Sequence, residues 1–312
     1  MLLSLDLASG SRYFRGSANT LFSSLGETLP NQRIVTFTTD FGVSDHFVGA
    51  MKGVILKQNP QAQIVDISNT VHSFDLLDGA FTIAEAYQYF PTDTVHMVIV
   101  DPGVGTARRP ILVTTEKHIL LAPDNGVLSF VYEREERLSV RHITAEHYFL
   151  QPVSQTFHGR DIFAACAGWL SKGVEVSKFG EEITDFVRFA APKPKPVNPQ
   201  VIKGIVLKQD KFGNLVTNFR ASELPQLLEA QPGTFKIVVN GKDIIAIRHA
   251  YAEGAANEVF AIVGSMGFIE LASNKAPASR LLGVDRGAEV NIAFAAPVFQ
   301  PPAPPQAATP GA

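Results

Sequence analysis

Three short polar runs carry residue types able to do chemistry, and each lies where a regular element begins or ends. Asp40-Phe41-Gly42-Val43-Ser44-Asp45 follows a β-branched stretch. A carboxylate there can accept both hydroxyls of a ribose cis-diol, or it can serve only as a turn aspartate. Asp101-Pro102-Gly103-Val104-Gly105-Thr106-Ala107-Arg108-Arg109 places an aspartate at a strand end with arginines after a glycine-rich turn. The run lacks the P-loop lysine and the GxGxxG fingerprint, so phosphate binding is a weak reading. A structural ion pair and a catalytic network fit it equally. In Thr156-Phe157-His158-Gly159-Arg160-Asp161 a histidine precedes a small residue at a helix start, where it can cap, pack or project into a cleft. No His, Asp or Glu pair has zinc spacing, and no metal is expected.

The elements that must position these runs follow from periodicity. Residues 34–38 and 63–67 read as strands, and 95–100, apolar almost throughout, as a strand covered on both faces. Between them, Phe47, Val48, Met51, Val54 and Ile55 make a helical stripe with Ser44 as the expected N-cap, and a second helix is expected from about 75 to 89. Strand, helix, strand, helix, strand predicts an α/β sandwich with a largely parallel central sheet. Ligands of such sheets bind at the carboxyl ends of strands, which puts Asp40 and Asp101 on one rim. Four prolines between 192 and 199 predict a stiff linker separating an α/β domain, 32–191, from a second unit, 200–296. Short β runs and the hairpin signal Asn240-Gly241 mark that unit as a smaller all-β barrel. Residues 1–31 read as a mobile extension and 297–312 as a disordered proline-rich tail.

Composition narrows the function classes. With 46% hydrophobic and 18% charged residues and a net charge of -3, the chain has no electrostatic footprint for nucleic acid or an anionic membrane. The single cysteine, Cys166, excludes an internal disulfide and sits in an apolar run that predicts a buried structural thiol. No apolar stretch reaches the roughly 18 residues of a membrane helix. Asp6 interrupts the N-terminal apolar run with no basic region before it, so a cytoplasmic protein is expected.

Taken in order, TTDFG with SDHFVGAMKG at 38–53, FPTDTVHMVIVDPGVGTARRPI at 90–111, LAPDNGVLS at 121–129, FHGRDIFA at 157–164 and DKFGNLVTN at 210–218 resemble the S-adenosyl-L-methionine hydroxide adenosyltransferase family, relatives of the fluorinase and chlorinase. The resemblance implies hydrolysis of S-adenosyl-L-methionine to adenosine and methionine, with no cofactor beyond the substrate. It implies a homotrimer whose sites lie between the N-terminal domain of one subunit and the C-terminal domain of the next. It also implies a water-activating trio, Asp101, Arg108 and His158, and leaves open whether Asp101 or His158 takes the proton. Asp40 takes the place of the ribose carboxylate. Asn214 with Ser273, Asn274 and Lys275 takes that of the adenine contacts, Phe212 packs on the nucleoside, and Asp210 and Ser265 grip the methionine end. Lys275-Ala276-Pro277-Ala278-Ser279 departs from the Gly-Ser-Ala type of sequence expected there.

The chemistry suits such groups. A sulfonium leaves without acid assistance, whereas water is a feeble nucleophile that needs alignment and a proton acceptor. Two other readings compete. Halogenating relatives carry tyrosine where this chain has His158, and a non-catalytic nucleoside-binding module would not need the trio.

Overall fold

The computed structural model describes residues 33–231 and 233–298. The expected mobile extension, and the tail beyond residue 298, lie outside the described residues. Of the expected tail, Val298 still belongs to the fold: its N–H donates to the Pro199 carbonyl at 2.8 Å and its side chain packs on the neighbouring core.

The N-terminal unit is built on seven strands, β1 (Ile34–Thr39), β2 (Gln63–Ser68), β3 (Val95–Ile99), β4 (Pro110–Thr115), β5 (Ile119–Pro123), β6 (Leu138–His142) and β7 (Glu182–Ile183), in the order β2-β1-β3-β5-β4-β6-β7. The first four in that order run parallel, and β4, β6 and β7 complete the sheet antiparallel. Its helices are α1 (Phe47–Gln58), α2 (Leu76–Ala86), α3 (Ser129–Arg134) and α4 (Ala165–Ser171). Alternation along β3 sorts them into two layers. Met97 and Ile99 join Met51 and Ile55 of α1 and the buried Cys166 of α4, while Val98 and Val100 join Ala80, Phe81 and Ala84 of α2. Every residue of β3 is therefore buried, which is why its sequence is apolar with hardly a break.

The helix starts differ. Asp75 caps α2, its side chain accepting from the Asp78 N–H at 3.0 Å. Ser44 does not cap α1, which starts after His46 without any side-chain cap bond. The preceding turn is held elsewhere: the Gly42 N–H donates to the Asn69 carbonyl at 2.7 Å, and Phe41 and Phe47 pack their rings 5.8 Å apart.

The C-terminal unit comprises β8 (Lys195–Asn198), β9 (Val201–Gln209), β10 (Leu215–Arg220), β11 (Phe235–Val239), β12 (Lys242–Ile244), β13 (Ile247–Arg248), β14 (Val259–Val263), β15 (Phe268–Ser273) and β16 (Glu289–Phe294), with short helices α5 (Pro225–Leu228) and α6 (Ala278–Leu282). They form one curled nine-stranded sheet, a half-barrel in the order β12-β11-β16-β9-β10-β15-β14-β13, with β8 against β9. Leu215, Phe219, Ile237, Ile269, Leu271 and Ile292 fill its concave side. Asn240 and Gly241 both have positive φ, 48° and 71°, as the tight β11–β12 turn demands. Lys208 of β9 reaches the buried Asp78 and the Thr82 hydroxyl of α2, and Arg286 pairs with Asp75, so α2 ties the two units together. Among the described residues no helix is long and apolar enough to cross a membrane.

Candidate active site

The chain leaves β1 toward β2 on one side and returns to β3 on the other, so the strand order reverses between β1 and β3. A crevice outside the carboxyl ends of the strands opens at such a reversal. Thr39 pairs with Ile99, so Asp40 and Asp101, which follow these strands, flank that crevice.

Asp101 opens a tight turn in which the Val104 N–H donates back to its carbonyl at 3.3 Å. The turn sends Arg108 back over its start. Arg108 Nε donates to Asp101 Oδ1 at 3.1 Å, and Nη2 donates both to Asp101 Oδ2 and to His158 Nδ1, the latter at 2.8 Å. The side chains of Arg108 and Asp101 are only 9% and 5% exposed, and the guanidinium lies 5.5 Å from the Phe163 ring centroid. An aspartate and an arginine of one turn thus form one buried cluster with a histidine 50 residues further on.

A guanidinium can only donate, so His158 Nδ1 is an acceptor here. Burial, reinforced by the Arg108 charge, holds the His158 pKa below its ordinary 6.5. The neutral ring therefore carries its proton on Nε2. Arg108 Nη1 is buried without a hydrogen-bond partner. An orphaned buried donor in such a cluster suits a small polar species that would pair with it. Arg109 takes no part: it bonds the buried Asp124 and the exposed Asp185 instead.

The loop bearing His158 is fixed by Asp161, fully buried, which accepts from the Ser154 N–H at 2.8 Å and from Arg160 Nε at 2.6 Å. Phe157 packs edge-on against Phe41 and Phe47. A π-helical turn, Gly159–Ala164, follows and runs into α4. Gly105 joins the two loops. It has φ +78°, and a Cβ there would meet the Gln155 carbonyl oxygen at 2.2 Å. Gly105→Ala is therefore expected to push the Asp101 turn away from the His158 loop and to cut turnover about 10²-fold, the penalty of roughly 1 Å of misplacement. Rate measurements beside a thermal unfolding curve check this, and an unchanged rate would disprove the coupling.

Asp40 accepts from the Phe74 N–H at 2.8 Å. Phe74, with φ +66° and 73% exposed, and Val43, 82% exposed, are apolar side chains standing free beside it. The remaining expected contacts divide. Asp210, Phe212, Asn214, Ser273 and Lys275 line one groove of about 570 Å³, together with Tyr251, Ala276 and Pro277. Asp210 stiffens its floor, with Oδ1 accepting from the Phe212 and Asn214 N–H groups and Oδ2 from Asn214 Nδ2. Asn274 is not in the lining; its amide holds the Gly254 carbonyl at 2.9 Å. Ser265, exposed between β14 and β15, lines a separate cavity of about 550 Å³ with Tyr89, Arg134 and Arg220. Neither Asp40 nor any of Asp101, Arg108 and His158 lines the groove. Tyr251 and Phe74 were not anticipated, since neither lies in a polar run. Among the described residues no group of His, Cys, Asp and Glu is placed to hold a metal ion.

A mixed α/β sheet with a buried Asp-Arg-His cluster at its strand reversal, followed by a curled β unit with a ligand-sized groove, is a two-part architecture built to act on a small molecule. The family models for the SAM hydroxide adenosyltransferase N-terminal and C-terminal domains match residues 35–180 and 204–291, and the chain belongs to that family. It is 33% identical over 282 residues to an (R)-S-adenosyl-L-methionine hydrolase of Methanocaldococcus jannaschii, covering 84% of this chain and 96% of the relative. A fluorinase of an Actinoplanes species is 25% identical over 288 residues, covering 83% and 97%. Among solved structures, an uncharacterized conserved protein of Thermotoga maritima superposes with a TM-score of 0.78 at 34% identity, covering 83% of this chain and 99% of that one.

Proposed function

We propose that this chain hydrolyses S-adenosyl-L-methionine to adenosine and L-methionine by in-line attack of water at the ribose C5′ carbon. The observation that carries the reading is the buried Asp101-Arg108-His158 cluster with its unpartnered Arg108 N–H at the strand reversal. In this reading the attacking oxygen lies against this cluster, and the Asp101 carboxylate takes its proton. His158 cannot be that acceptor without giving up its bond from Arg108. The oxygen bonds to C5′, the C5′–S pair withdraws onto sulfur, and a neutral thioether leaves. Aligning oxygen, carbon and sulfur removes much of the entropic barrier, and proton acceptance adds about 10²–10⁴-fold. Asp40 receives the ribose hydroxyls, and the groove holds the adenine. Greater identity to hydrolases than to fluorinases supports water over halide as nucleophile. The test is turnover in oxygen-18 water: label in the adenosine 5′-hydroxyl is expected, and unlabelled adenosine or a halogenated nucleoside overturns the reading.

The reading includes a cytoplasmic homotrimer with shared sites. Support comes from the groove being lined solely by residues from Asp210 onward, while Val43 and Phe74 stand exposed beside Asp40 and Phe212 at the groove is 77% exposed. A second copy laying its groove on this rim would cover all three apolar groups. Mixing Asp101→Asn with Tyr251→Ala chains under exchange conditions is then expected to regain part of the activity each lacks alone. No recovery despite verified exchange removes the shared site.

A further inference from the structure

Tyr251 is the largest side chain of the groove wall, yet it sits in a loop between β13 and β14 with no strand of its own. Two of the bonds that hold that loop come from β15 and the residue beyond it. Asn274, just beyond β15, grips the Gly254 carbonyl, and the Tyr251 hydroxyl donates to Glu270 Oε2 at 3.3 Å. Glu270 lies mid-strand in β15, paired with Val216 of β10 and Ile262 of β14, and is 5% exposed. A carboxyl group inside a sheet is costly unless it has a task or a partner. Among the described residues no cation is bonded to it, and the only hydrogen bond it makes beyond the backbone ladder is the one from Tyr251.

The surroundings are shaped to the Glu270 side chain. Its Oε1 occupies the space a Cβ on residue 264 would need, 1.8 Å away, so only glycine leaves room for it. Burial and the neighbouring Asp210 charge push the Glu270 pKa up, toward the neutral carboxyl form. A neutral carboxyl has the shape of a carboxamide and still offers a carbonyl oxygen to a phenol.

We propose that Glu270 is a positioning residue for the nucleobase: by holding the Tyr251 hydroxyl it fixes the Tyr251 ring as a rigid wall against which a purine stacks. This deepens the substrate reading above and rests on it. An aromatic face already in place spares the ligand the cost of ordering it, so the effect belongs to binding rather than to the bond-breaking step.

The test compares Glu270→Gln, Glu270→Leu, Tyr251→Phe and the Tyr251→Phe/Glu270→Leu double variant. Calorimetry gives the Kd for adenosine, and steady-state rates give KM and kcat for S-adenosyl-L-methionine. Glu270→Leu and Tyr251→Phe are each expected to raise Kd and KM about tenfold with kcat within about twofold, the double variant no further, and Glu270→Gln to stay near wild type. Should Glu270→Leu fail to fold, Tyr251→Phe and Glu270→Gln still decide. Adenosine binding that is unaltered in Tyr251→Phe, or lost equally in Glu270→Gln, overturns the assignment. Wild-type chain that binds adenosine but releases no methionine would sink the hydrolase reading alone, because the Kd series still reports on Glu270.

Discussion

Asp101→Asn is expected to lower kcat about 10²–10⁴-fold while leaving KM within a few-fold, since it removes the proposed proton acceptor and touches nothing in the groove. The substitution is nearly isosteric, yet the amide turns an N–H toward Arg108, which itself only donates. Arg108 then keeps a buried charge without its counter-ion, and a stability loss of up to about 3–5 kcal/mol accompanies the rate effect. Adenosine binding measured beside turnover separates the two: a folded variant that binds but does not turn over is the expected result. The pH profile gives an independent check. Because the His158 pKa lies below 6.5, the ring stays neutral through neutral pH, and kcat/KM is expected to fall only on an acid limb below 6.5. Protonation there places a hydrogen on Nδ1 and breaks the bond from Arg108. An acid limb centred above 6.5, or an Asp101→Asn enzyme with near-normal turnover, contradicts this division of labour.

The second large effect concerns stability in acid. His96 is fully buried on β3, its Nδ1 2.7 Å from the Thr36 hydroxyl and its ring against those of Tyr87, Phe90 and His118. Burial, helped by His118, drives its pKa from 6.5 down to about 3. A folded-state value below the unfolded one stabilises the fold above pH 6.5, and that contribution is lost as pH falls toward 3. Between pH 7 and pH 4 the unfolded chain gains this proton and the folded chain does not, which costs about 3 kcal/mol. His96→Leu removes the titration. Its difference from wild type in urea-unfolding free energy is therefore expected to shift by about 3 kcal/mol in the variant's favour over that range. A difference that stays constant with pH shows that His96 does not carry the effect.

Much of the scaffold was legible because periodicity and burial agree. The β1–α1–β2–α2–β3 run announced itself through β-branched strands and a helical stripe, and its strand ends placed Asp40 and Asp101 correctly on one rim. The antiparallel β4, β6 and β7 were less visible: Pro110–Thr115 and Leu138–His142 are flanked by charged turns that show no period. Within the cluster, the choice between Arg108 and Arg109 could not be made from spacing. It depends on which guanidinium the turn folds inward, and Asp124 and Asp185 claim the other. The two serines fall in different cavities for one reason. Ser265 and Ser273 stand at opposite ends of β15, so sequence proximity concealed the length of a strand. Tyr251 and Glu270 were missed for the converse reason, as only the antiparallel register of β14 and β15 brings that loop over that strand.

The separation of the aromatic groove from the acidic rim has a bearing on the cell. An enzyme that consumes a costly methyl donor is hazardous at every stage of its own synthesis. Under the proposed sharing, in which another copy supplies half of each site, a chain leaving the ribosome is harmless until it has found its companions. Specific activity should accordingly drop on dilution at protein concentrations where each chain remains folded, so that abundance itself acts as the switch.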